Sequence, residues 1–198
     1  MQGASPAMAL RSDGCATAAP NHRQGRGRIL MFVIFAGLPG TGKSTIAQQL
    51  AREVGAVYLR IDSIEQAIRA SGMMAPDTEM GPAGYLATYR VAADNLRLGR
   101  IVVADSVNPI RITRDDYRAI AARAGVGFLE VEVVCSDRAE HRRRVEGRRS
   151  SVEGLALPSW QQVESRCYEA WDREHLVLDA AVLSPDESVA RIVAAMGA

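Results

Sequence analysis

Eight residues, Gly37-Leu38-Pro39-Gly40-Thr41-Gly42-Lys43-Ser44, follow the spacing G-x-x-x-x-G-K-[ST]. Glycines at those positions let successive backbone N–H groups turn inward, and a helix opening at the end of the segment adds the positive end of its dipole. Such a cradle suits the phosphates of ATP or GTP. Lys43 would reach the β- and γ-phosphates, the Ser44 hydroxyl is placed to ligate Mg²⁺, and Thr45 completes the binding turn. Lys43 is also the single lysine among 24 basic residues, the others being arginine. A compact ammonium fits between phosphates where a planar guanidinium does not.

Further positions carry chemistry. Asp105 ends the apolar run Ile101-Val-Val-Ala104 and is a candidate to assist Mg²⁺; a cap on the turn at Asn108-Pro109 is the competing reading. Asp62 follows Val57-Tyr-Leu-Arg-Ile61, where a carboxylate would accept the proton of a substrate hydroxyl attacking a γ-phosphate. It would equally cap a helix. In His141-Arg-Arg-Arg-Val-Glu-Gly-Arg-Arg149, Arg144 and Arg148 are spaced i, i+4 on one helical face, candidates to close over the charge that develops during phosphoryl transfer. A solvated basic face or an RNA patch is the alternative, although no aromatic residue is interleaved for base stacking. Tyr85 and Tyr89 share a helical face and are candidates to line an acceptor pocket. Trp160, Tyr168 and Trp171 read as packing on a helix.

The chain has 198 residues, a formal net charge of +1, 47% hydrophobic and 24% charged residues. Those values fit one domain with a substantial core. Near-zero net charge offers nucleic acid or an anionic membrane no global attraction, and no apolar run approaches the ~18 residues of a membrane span. Cys15, Cys135 and Cys167 make neither an even framework nor a metal spacing, which fits a reducing cytoplasm and predicts that Cys135 and Cys167 pack as small apolar groups. Residues 1–27 show no periodic apolar pattern and read as a disordered extension. Met31 opens the first strand directly, so a native extension and an addition upstream of a start at Met31 both stay open.

The elements that must position these residues follow from periodicity. Met31–Ala36 is a continuous apolar run, the mark of a strand buried on both faces. Helical spacing follows through Ile46, Leu50 and Val54 to Gly55. Strands are also predicted at Val57–Ile61, Ile101–Ala104, Phe128–Val134 and His175–Leu178. Helices are predicted from a cap at Asp62 or Ser63, up to Gly99, from a Thr113 cap to Gly125, from an Asp137/Glu140 capping box, from Ser159 to about Trp171, and from Ser184-Pro-Asp-Glu187. The alternation predicts an α/β domain over residues 28–198, a three-layer αβα sandwich around a parallel five-stranded sheet, with a short helical lid at about 138–158. Ligands of such sheets sit beyond the carboxyl ends of the strands, where the glycine-rich loop, Asp62 and Asp105 all emerge.

On these features residues 31–196 resemble the small P-loop kinases of the AAA-type ATP-binding family, which include chloramphenicol phosphotransferase, zeta toxins, polynucleotide 5′-kinases, gluconate kinase and adenylylsulfate kinase. The matching segments are Gly37–Thr45, Asp62-Ser-Ile-Glu65, Val102-Val-Ala-Asp105 with Asn108, Arg144 with Arg148, and Leu176-Val-Leu-Asp179. The resemblance implies a P-loop NTPase fold, ATP and Mg²⁺ as cofactors, Asp62 as base, and transfer of the γ-phosphate to a hydroxyl of a small-molecule acceptor. Many relatives carry Asp-x-x-Arg where this chain has Glu65 in the fourth position; an acidic group there disfavours a phosphorylated or nucleotide acceptor and suits a neutral or cationic one. Nothing resembles the extra helical domain or ring-forming parts of AAA+ machines. The alternatives are a polynucleotide 5′-hydroxyl kinase, a zeta-toxin-like sugar-nucleotide kinase whose partner would be an antitoxin, and a nucleotide-binding module without catalysis. The acceptor and the oligomeric state are not legible in the sequence.

Overall fold

A computed structural model describes residues 30–75 and 78–197; the expectations for residues 1–27 and for Cys15 lie outside them. Among the described residues five strands form one sheet: β1 (Met31–Ala36), β2 (Val57–Arg60), β3 (Val102–Asp105), β4 (Gly127–Val134) and β5 (Leu176–Asp179). All neighbours are parallel, in the order β2-β3-β1-β4-β5. The helices are α1 (Lys43–Val54), α2 (Ile61–Ala70), α3 (Ala83–Arg97), α4 (Arg111–Ala124), α5 (Arg138–Gly147), α6 (Trp160–Glu164) and α7 (Pro185–Met196).

The unbroken apolar run of β1 follows from its place at the centre of the sheet, where both faces are covered. Val33 and Phe35 pack with Ile46 and Leu50 of α1 and with Val189 and Ile192 of α7. Phe32 and Ile34 pack on the other face with Leu96 of α3 and with Tyr117 and Ile120 of α4. The result is the three-layer sandwich. From β1 the chain passes to the edge strand β2, returns to β3 beside β1, and then crosses to β4 and β5. The carboxyl ends of β1 and β3 therefore adjoin the point where the winding reverses, the usual place for a ligand.

Local signals marked several element ends correctly. Gly55 closes α1 in a left-handed conformation (φ 64°) with its N–H on the Ala51 carbonyl. Ser159 and Ser184 each form a full capping box. Others differ. The chain turns from β2 into α2 with Arg60 extended at the N-cap (φ −104°, ψ 119°), so Asp62 lies in the first turn and neither it nor Ser63 is the cap. Ile110 holds the N-cap position of α4, and the Thr113 hydroxyl donates instead to Asn108 Oδ1 at 2.7 Å. Asp137 caps α5 through the N–H groups of Ala139 and Glu140, but the Glu140 carboxylate turns to Arg143 and Arg144, leaving the box half made.

The largest departure is α6, which ends at Glu164, well short of Trp171. Arg114 of α4, fully buried, competes for the backbone that a longer helix would use. Its guanidinium donates to the carbonyls of Glu169 (2.8 Å), Asn108 (3.1 Å), Pro109 (3.2 Å) and Ala170 (3.3 Å). It also lies 4.2 Å from the Trp171 ring centroid and 5.2 Å from that of Tyr168, within range of a cation–π contact. The Glu169 N–H goes to the Pro109 carbonyl at 2.8 Å. Residues 165–175 are thus strapped to α4 in irregular form, Tyr168 and Trp171 are not helical, and Cys167 is exposed rather than packed.

Candidate active site

A cavity of about 880 Å³ opens at the carboxyl edge of the sheet, bounded by the loop before α1, the start of α2, the end of α5 and residues 155–158. The loop holds its shape through glycine. Gly37, Gly40 and Gly42 have φ of 131°, 87° and 95°, a region that side chains rarely adopt. At Gly37 a Cβ would run into the Val133 carbonyl, and at Gly40 into the Val145 side chain of α5. Gly37 N–H donates to the Val107 carbonyl at 3.1 Å, and the Thr41 hydroxyl donates to the Leu38 carbonyl at 3.0 Å. Gly42 caps α1 without a side-chain partner, and the first turn contains no acidic residue, so the positive end of the helix faces the cavity uncompensated. Lys43, Ser44 and Thr45 all line the cavity. Lys43 is 8% exposed and forms no ion pair or side-chain hydrogen bond among the described residues.

Asp105 lies beside Phe35 in the β1–β3 register and is 2% exposed. Its Oδ2 accepts the Tyr58 hydroxyl at 2.6 Å, while Oδ1 is buried without a partner among the described residues. Burial and the adjacent Asp105 charge push the Tyr58 hydroxyl well above the usual range, keeping it a donor. Arg60 links the two candidate carboxylates. Its Nε and Nη2 each lie 3.3 Å from Asp62 Oδ2, its Nε is 4.0 Å from Asp105 Oδ2, and its Nη1 donates to Ser151 of the 148–158 segment at 2.9 Å. Asp62 itself lines the cavity with a 41% exposed side chain.

Arg144 and Arg148 both reach the cavity, but not from one helical face. α5 ends at Gly147, and Arg148 follows it with an extended backbone (φ −73°, ψ 150°). Arg144 is engaged with Glu140 Oε1 at 2.6 Å and the Ala180 carbonyl at 3.0 Å. Arg148 is half-buried, with its Nε unpartnered among the described residues; burial lowers its pKa, while the Asp62 charge opposes that shift. Tyr85 lines the cavity, its hydroxyl accepting the Asn108 N–H at 3.0 Å, whereas Tyr89 packs into the core edge-on to Tyr117.

Sequence reasoning missed Arg60 and His141. Arg60 sits at the end of β2, on the edge already marked by Asp62, and that position was the available signal. His141 is buried in α5 with Nε2 2.9 Å from the Pro39 carbonyl, and its ring meets Trp160 edge-on. Embedded in an arginine run, it carries no local signal at all. Among the described residues no group of three or more His, Cys, Asp or Glu side chains could hold a metal. The oxygen donors at this edge, Ser44 and the free Asp105 Oδ1, are of the kind Mg²⁺ takes when phosphates and water complete its octahedron.

The chain was compared with known proteins. The model of the AAA domain family matches residues 32–169. APS kinase CysC of Mycobacterium tuberculosis, in complex with AMPPNP and APS, superposes with a TM-score of 0.62 at 22% identity, covering 86% of this chain and 99% of that one. A gluconokinase from Sinorhizobium meliloti gives 0.58 at 19% identity, covering 86% and 94%. Kti12 of Chaetomium thermophilum, in complex with ADP-AlF3, gives 0.59 at 20% identity, covering 83% and 98%. No match was found among curated protein sequences. Identities this low establish a shared fold, that of the P-loop NTPases, and the family match spans most of the sheet together with the cavity edge. This chain belongs to the AAA domain family and shares its fold with small P-loop kinases.

Proposed function

We propose that this protein is an ATP-dependent kinase that transfers the γ-phosphate to a hydroxyl of a small molecule. The observation that carries the proposal is Lys43, a buried ammonium without an ion pair among the described residues, at the mouth of a glycine-lined helix N-terminus that has no side-chain cap. A buried charge in that condition is costly unless an anion accompanies it, and a polyphosphate would satisfy both the lysine and the helix end. The likeness to kinases, one of them in complex with AMPPNP, supports the same reading.

In this mechanism the loop amides and Lys43 grip the β- and γ-phosphates. Ser44 and Asp105 would hold Mg²⁺, which neutralises charge on the phosphate oxygens when bound. Asp62, oriented by Arg60, accepts the proton of the attacking hydroxyl. Arg148 and Arg144, at the cavity wall, offset charge gathering on the equatorial oxygens. Residues 138–158 act as the lid, and the Arg60–Ser151 bond ties it to the base carboxylate. Little covalent work is asked of the protein; positioning and charge do the rest.

The test is Lys43→Ala, with circular dichroism to check folding and calorimetry to follow Mg·ATP. The variant is expected to fold and to lose nucleotide binding and turnover. Wild-type affinity and turnover in the folded variant would remove the basis for the assignment.

A further inference from the structure

Helix α2 presents two carboxylates to the cavity, Asp62 and Glu65, on one face at i, i+3. Asp62 is held by Arg60. Glu65 is half-buried yet makes no ion pair or side-chain hydrogen bond among the described residues. Arg69 and Arg166 are near enough for their charges to act on it but not to pair with it. Burial, reinforced by the Asp62 charge, raises its pKa, which reflects the strain of an acceptor-only group withdrawn from water.

The fold makes room for this carboxylate. Gly84 of α3 is buried, and a Cβ there would stand 2.5 Å from Glu65 Oε1. Any other residue at that position would push the side chain out of its niche. The charges around the cavity are also graded. Lys43, Arg143, Arg144, Arg148 and Arg149 lie on the loop and lid side, and the two carboxylates on the α2 side, where the one cation of that wall, Arg60, is engaged with Asp62. Arg166 also reaches the rim near Glu65, but it is exposed, where water and salt screen its charge.

We infer that Glu65 determines acceptor specificity: its carboxylate receives O–H or N–H donors of the acceptor, which makes the substrate class a neutral polyol or amino alcohol and excludes phosphorylated or carboxylated alcohols. This rests on the kinase reading, since it places the acceptor in the same cavity with its reacting hydroxyl at Asp62. A partner donor satisfies the buried oxygens, whereas an anion meets them as a like charge at short range.

Sorbitol, glucosamine and gluconate are matched in length and differ in charge. Calorimetric titration of each into protein loaded with Mg·AMPPNP separates the outcomes. Wild type is expected to bind sorbitol and glucosamine at least about tenfold more tightly than gluconate. Glu65→Gln should narrow the advantage of glucosamine, and Glu65→Arg should reverse the order. Equal or tighter gluconate binding by wild type, an unchanged order in either variant, or binding of none of the three overturns the inference. Mg·AMPPNP affinity, expected to be the same in wild type and variants, reports folding. A wild type that binds no nucleotide defeats the kinase reading, whereas normal nucleotide binding with the wrong acceptor order defeats only the role of Glu65.

Discussion

Lys43 and Asp105 are buried charges with bonding capacity to spare, whereas Asp62 is partly exposed and already oriented by Arg60. In the proposed mechanism that contrast separates binding groups from a reacting one. Asp62→Asn keeps the volume and the first-turn position of the side chain but removes the proton acceptor. It is expected to fold and bind Mg·ATP normally and to lose roughly 10²–10⁴-fold in transfer to an accepted alcohol. A wild-type transfer rate would pass the role of base to another group. Arg148→Ala is expected to lower kcat on the order of 10²-fold or more with little change in ATP affinity, the pattern of a group felt only in the transition state. Arg144→Ala should do the same but also release Glu140, to which Arg144 is bonded. Steady-state kinetics on both variants check this, and full turnover in both would leave the arginines as a basic surface. The phosphate loop was legible because its chemistry depends on eight consecutive residues. His141 was not, because the fold alone brings the Pro39 carbonyl near it, and for Arg60 only the reach to Asp105 and Ser151 depends on the fold, since Asp62 lies two residues on.

At the scale of elements, the same division holds. β1, the loop and α1 could be read from the sequence because an apolar run, a glycine spacing and a capping glycine are all local. Residues 165–171 were misread as helix because what stops them is Arg114, some fifty residues away, and no window includes both. The i, i+4 spacing of Arg144 and Arg148 likewise held no sign that α5 would end between them. Arg114→Ala would take a donor from the carbonyls of Asn108, Glu169 and Ala170 and leave that of Pro109 with the Glu169 N–H alone. The expected loss of stability is about 3–4 kcal/mol, the scale of a disrupted buried network, read from the denaturant midpoint. Arg114→Lys should recover only part of it, because an ammonium cannot reproduce the planar fork.

Taken as a whole, the molecule would couple its proposed nucleotide site to its global stability, because β1 is both the centre of the sheet and the stem of the loop. A ligand present at a hundred times its Kd adds about 2.7 kcal/mol to the folded state. For a domain of this size that corresponds to a rise in Tm of roughly 5–10 °C. Mg·ATP should produce such a shift in thermal scans of wild type and none in Lys43→Ala. The sandwich also joins opposite ends of the described chain. Ile46 and Leu50 of α1, near its start, share a core cluster with Val189 and Ile192 of α7, near its end. On the ribosome these partners are born far apart in time. At about 5–20 residues per second, the greasy strip of α1 leaves the exit tunnel on the order of ten seconds before the helix that covers it. Through that interval the nascent chain carries an open seam of the kind that chaperones hold and that neighbouring chains stick to. A chain halted before Pro185 would keep its phosphate loop and never close that seam, so it is expected in the insoluble fraction rather than as a weaker enzyme.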